Sequence, residues 1–156
     1  MLGDLRVERF SDPAGAAEYF EELHARLGDD DAARLELLPM ILPALQAAGR
    51  HAGAAQVAEE LAALLDEPRQ SSTLLLAAAR SRQAAGQPDL TVARWREVLE
   101  LDPGNGEAVE GLARRLMDDG EFEAAAQLAG GFVTGRPPAP TRAGKVRRGR
   151  LLELLA

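Results

Sequence analysis

The run Gly86-Gln87-Pro88-Asp89-Leu90-Thr91-Val92-Ala93-Arg94-Trp95-Arg96-Glu97-Val98-Leu99-Glu100-Leu101-Asp102-Pro103 decides the fold. It opens on a glycine and closes on a proline, and the same frame returns 34 residues later at Gly120 and Pro137. Repeats of about this length are the mark of stacked helical hairpins. A glycine in mid-unit opens a tight left-handed turn between two helices, and a proline at the end blocks continuation of the second. The chain therefore reads as a surface that holds another chain.

Working outward, Pro88 to Leu101 and Ser71 to Ala85 are expected as helices around Gly86, and Glu107 to Asp118 and Glu121 to about Phe132 around Gly120. Upstream, Ala54 to Leu65 forms a helix ended by Asp66-Glu67-Pro68. A further helix opens at Asp29-Asp30-Asp31, passes Leu35, Leu38, Ile41, Leu42 and Leu45, and stops at Gly49. Pro39 and Pro43 fall inside it, where a kink or break is expected because each removes a backbone hydrogen bond. Ser11-Asp12-Pro13 reads as the start of the first helix, which runs through Tyr19, Phe20 and Leu23 to Gly28.

Composition agrees. Hydrophobic residues make up 46 % of the 156, mostly Ala and Leu, and aromatics only 4 %. These are strong helix formers, and small side chains let helices approach closely. There is no cysteine, hence no disulfide framework. The longest apolar run, Leu37 to Leu45, is nine residues interrupted by two prolines, against the roughly 20 that a membrane span needs. No secretory signal is visible at Met1 to Arg6, so a soluble, cytoplasmic protein is expected.

The net charge of −7 hides a split. Residues 1–135 carry 24 acidic and 12 basic side chains. Residues 136–156 carry Arg136, Arg142, Lys145, Arg147, Arg148 and Arg150 against Glu153 alone. Phosphate contacts dominate nucleic-acid affinity, so an acidic body disfavours that partner over most of the surface. The tail begins with the stiff stretch Pro137-Pro138-Ala139-Pro140. It ends with Leu151, Leu154 and Leu155 at helical spacing, the pattern of a short closing helix. A nucleic-acid-associated or regulatory subunit anchored by this basic tail is the rival reading.

The segment from Trp95 to Asn105 resembles the second helix and exit turn of the tetratricopeptide repeat family. Ala79 and Ala113 stand at its small-residue position in first helices, Ala125 at the matching position of a second helix, and Phe122 at its opening aromatic. The resemblance covers about Ser72 to Pro137; Gly49 and the turn at Asp66 to Pro68 look like a divergent third unit. Thr91, Arg82 and Gly130-Gly131 depart from the pattern. The resemblance implies an all-α fold, a right-handed stack of antiparallel helix hairpins with seven or eight helices over residues 1–136, followed by the tail 137–156.

Catalytic chemistry has little to stand on. His24 and His51 are the only imidazoles, on different hairpins, and no serine or threonine sits in a nucleophile elbow. Asp29-Asp30-Asp31 lacks the alternating spacing of a calcium loop and reads as helix capping. Gly104-Asn105-Gly106 lacks the strand and lysine of a phosphate loop and reads as a turn between repeats. Neither a metal nor a cofactor is expected. In the family, peptides lie against the first helix of each hairpin. That implies a partner-binding stripe of Thr73, Leu76, Ala77, Arg80 and Ala84, continued by Glu107, Glu110, Gly111, Arg114 and Met117. Arg80 and Arg114 occupy equivalent places one period apart, which suits an acidic or carboxylate-bearing peptide. The chain is thus expected to be a non-enzymatic adaptor or scaffold.

Overall fold

A computed structural model describes residues 13–135. Among them are seven helices and no strand: α1 (Pro13–Arg26), α2 (Asp31–Ala47), α3 (His51–Leu64), α4 (Pro68–Ala84), α5 (Pro88–Leu101), α6 (Gly106–Asp118) and α7 (Phe122–Thr134). The all-α expectation holds. The basic tail and its leucines lie outside the described residues, as does the cap expected at Ser11-Asp12.

The glycine frame is built as three copies of one turn. At Gly49, Gly86 and Gly120 the backbone is left-handed, with φ of 68°, 70° and 81°. In each copy the residue after the glycine donates its N–H to a carbonyl five residues back: Arg50 to Leu45 at 2.9 Å, Gln87 to Arg82 at 3.0 Å, Glu121 to Leu116 at 2.8 Å. This is the Schellman closure, which satisfies carbonyls that a helix end leaves open. Only glycine enters the left-handed region without steric cost, which is why the period is so legible.

Helix starts follow the polar and proline signals. Asp30 caps α2, its Oδ1 accepting from Ala32 N at 3.1 Å and Ala33 N at 3.2 Å. Asn105 caps α6, accepting from Ala108 N at 3.0 Å. So the aspartate run and the Gly104-Asn105-Gly106 turn are capping chemistry. Pro88 sits at the start of α5 and Pro68 at the start of α4. The second position corrects the expectation of a helix beginning at Ser71. Pro68 opens α4, because the first turn has no N–H bond to lose.

Pro39 and Pro43 do not break α2, which continues through both. The two are four residues apart and both exposed, while Leu38, Ile41, Ala44 and Leu45 are buried opposite them. The carbonyls they release belong to Leu35 and to Pro39 itself, on the same exposed side. Water can bond them there, which offsets part of the interior-proline penalty. Gly130-Gly131 likewise leaves α7 unbroken to Thr134.

Each helix packs on the next in chain order. The buried side chains form two clusters. One joins α1, α2 and α3 through Ala17, Phe20, Leu38, Ile41, Leu45, Val57 and Leu61. The other joins α3 to α7 through Leu75, Trp95, Val98, Leu112, Leu116 and Leu128. Leu74, on α4, packs against both. The departures from repeat chemistry are accommodated locally. Thr91 is buried and its hydroxyl donates to the Gln87 carbonyl at 2.9 Å. Arg82 lies against α3, where Glu59 accepts its fork.

Candidate functional site

The expected partner-binding residues lie on α4 and α6. Thr73 is exposed, but its hydroxyl turns back to the Arg69 carbonyl at 2.9 Å. Leu76 and Ala77 are half-buried, and Leu76 packs against the core. Arg80 is exposed and forks onto Glu107, its Nε 2.5 Å from Oε1 and its Nη2 on Oε2. That pair bridges α4 to α6, skipping the helix between them in sequence. Arg114 pairs with Glu110 one turn back on its own helix, at 2.7 Å. Met117 stands free of the core at 54 % exposure.

The structure therefore brings Arg80 and Glu107 together, and both arginines already hold a carboxylate. What faces solvent is a row of mixed charge instead of a bare pair of cations. Hydrogen bonding from Arg80 holds the Glu107 carboxyl below the usual carboxylate range, opposed by slight desolvation, and raises the guanidinium in return. An exposed pair of this kind contributes only about 0.2–1 kcal/mol. An incoming carboxylate or ammonium can replace either member at small cost.

Gly111 has a different role from the one its stripe suggests. A Cβ built on it would lie 2.4 Å from Trp95 Cζ2 and 2.5 Å from Cε2. The bare α-carbon of α6 is what allows the indole of α5 to approach this closely. Trp95 is 8 % exposed and belongs to the larger core cluster. The sequence carries no sign of this pairing, since a glycine in a helix has no periodic signal.

Polar side-chain contacts also tie other helices together. His24 of α1 and Glu60 of α3 meet at 2.8 Å. Glu59 of α3 takes both Arg82 nitrogens, at 2.9 and 2.8 Å, and lies 3.4 Å from Arg94 Nε of α5. Arg94 also donates to Glu97 at 2.8 Å. Glu59, Arg94 and Glu97 line a cavity of about 360 Å³ between α3, α4 and α5, together with Ala62, Leu65 and Leu75. Burial pushes the Glu97 carboxyl up; Arg94 opposes that shift, while Glu59 and Glu100 reinforce it. The only forewarning in the sequence was Arg82 standing where the repeat pattern wants an apolar residue.

No grouping of three or more His, Cys, Asp or Glu that could hold a metal occurs among the described residues. Among them, too, no helix is long and apolar enough to cross a membrane. The chain matches no family model, no curated protein and no solved structure.

Proposed function

We propose that the seven helices make a short tetratricopeptide-like solenoid, and that the chain works as a non-enzymatic adaptor holding a partner protein or peptide across α4 and α6. The observation that carries the reading is the Arg80–Glu107 fork, a side-chain link from α4 to α6. The three like turns at Gly49, Gly86 and Gly120 support it, because identical turns orient successive hairpins alike. Thr73, Leu76, Ala77 and Arg80 then continue into Glu107, Glu110, Arg114 and Met117 as one surface. Its mixed charges, with an arginine at each end, suit an extended peptide that carries spaced acidic groups and can trade places with Glu107 or Glu110. Within this reading the adaptor works in the cytoplasm, a compartment that suits a cysteine-free chain.

The test is a charge swap. Arg80→Glu with Glu107→Arg keeps the pair and the fold but reverses the local pattern. The wild-type chain, tagged and recovered from its native cell, should retain a stoichiometric partner that the swapped chain loses while its melting is unchanged. Equal retention by the swapped chain would remove α4 and α6 as the contact.

A further inference from the structure

Helix α7 carries an apolar stripe that nothing described covers. Phe122, Ala126, Ala129 and Val133 recur at i, i+4, i+7 and i+11, which is one face of a helix. All four are exposed, Phe122 at 67 % and Val133 at 82 %. The other face, with Ala124, Ala125 and Leu128, is buried in the core. Of the seven exposed large hydrophobic residues among those described, three lie on α7, two of them (Phe122 and Val133) on this stripe, whereas α5 shows two and α2 and α6 one each. A Cβ added at Gly130, beside the stripe, would meet no atom within 4 Å. Scattered exposed apolar residues need no explanation, but a contiguous row of them does.

We propose that this stripe is the seat of the chain's own Leu151-Leu152-Glu153-Leu154-Leu155 segment, drawn back across α7. Three arguments choose this occupant. The first is reach: 15 residues separate Gly135 from Leu151, and at about 3.3 Å each they span roughly 50 Å. Helix α7, with 13 residues at about 1.5 Å each, is only about 20 Å long. The second is pattern: Leu151, Leu154 and Leu155 are spaced i, i+3, i+4, an apolar face matched to a helical stripe. The third is charge. The connecting segment is basic, and Phe122 is flanked in sequence by Asp118, Asp119, Glu121 and Glu123, of which Asp119 pairs with Arg115 at 3.0 Å. A second copy of the acidic body would be repelled from that same end.

The chain has no cysteine, so a disulfide can be placed cleanly in the full-length protein. With Ala126→Cys and Leu154→Cys, air oxidation of dilute protein should close a bridge within one chain. It should do so roughly tenfold faster than with Glu100→Cys, exposed on α5, and Leu154→Cys, because docking raises the local thiol concentration. Equal rates for the two pairs, or bridges formed only between chains, would overturn the proposal; the second result would mean that another copy covers the stripe. A mutational cycle gives an independent check. Leu151→Asp, Leu154→Asp and Leu155→Asp together should lower the melting temperature, as should Phe122→Ser with Val133→Ser. Combining both sets should cost little more than either alone. Losses that simply add would refute the contact.

Discussion

Gly111→Ala tests the packing of the larger core with one methyl group. At an unobstructed helical site this change is favourable, by about 0.8–1 kcal/mol, because alanine has the better helix propensity. At position 111 the new Cβ would stand 2.4 Å from Trp95 Cζ2. Carbon atoms prefer about 3.5–4.0 Å, so the overlap exceeds an ångström and the rigid indole must move. Overpacking a filled core costs about 1–3 kcal/mol. The propensity gain and the clash compete, and the expected net effect is a loss of up to about 2 kcal/mol. Gly53→Ala, on α3, is the internal control: its Cβ would meet Leu45 Cδ1 at 3.5 Å, an ordinary contact. The propensity gain is common to both variants, so the difference between them isolates the clash. For a chain of this size that difference is roughly 2–12 °C in Tm, readable by thermal denaturation. On a Trp95→Phe background, Gly111→Ala should turn neutral or stabilising, since the smaller ring vacates the space. Equal Tm shifts for Gly111→Ala and Gly53→Ala would refute the stacking of Trp95 on α6.

Two further outcomes are expected. Gly86→Ala forces a side chain into φ of 70° and should cost about 1–2 kcal/mol by denaturant titration, with secondary structure retained by circular dichroism; no measurable loss would mean the turn is not left-handed in solution. For the Arg80–Glu107 pair, the folded carboxyl titrates below its unfolded value, so its contribution is present above the ordinary glutamate range near about 4.3 and is lost as pH falls through the lower folded value. The Tm gap between wild type and Glu107→Gln should accordingly be at most a few degrees at neutral pH and close on acidification, and a gap independent of pH would show that the pair does not form.

What could be read from the sequence was what a single residue type enforces. Gly49, Gly86 and Gly120 were legible because a left-handed helix exit excludes nearly everything else, and Pro88 because a proline tolerates a helix only near its start. Pro68 uses the same chemistry, but flanked by Asp66-Glu67 it reads equally well as a terminator, so α4 was placed three residues short. Pro39 and Pro43 misled for a different reason. Their cost depends on which side of α2 they face, and that is settled by the packing of Leu38 and Ile41, not by local propensity. In the candidate site, the stripe of α4 and α6 residues followed from helical spacing, whereas its charge did not. Arg80 meets Glu107 across 27 positions of sequence, and Arg82 meets Glu59 across 23. Such pairs have no period, and only the assembled helices bring them together.

The division of the core has a consequence for how the molecule comes apart. Leu74 packs against both clusters, and the cavity between α3, α4 and α5 is lined by Ala62 and Leu75 of one and by Leu65, which packs against the other. Helix α3 gives Val57 and Leu61 to one cluster and Ala62 to the other, so the two meet on α3 and at Leu74, and Glu59 with its arginines adds an ionic clasp at the same place. An ionic clasp weakens as salt rises and as carboxylates protonate, while the oily clusters on either side respond little to either. The core is thus two apolar clusters that share helix α3 and Leu74, with the clasp lying where they meet. Ionic strength and acidity therefore act on the clasp at this junction more than on the clusters beside it, so the junction is where a change of solvent is felt first.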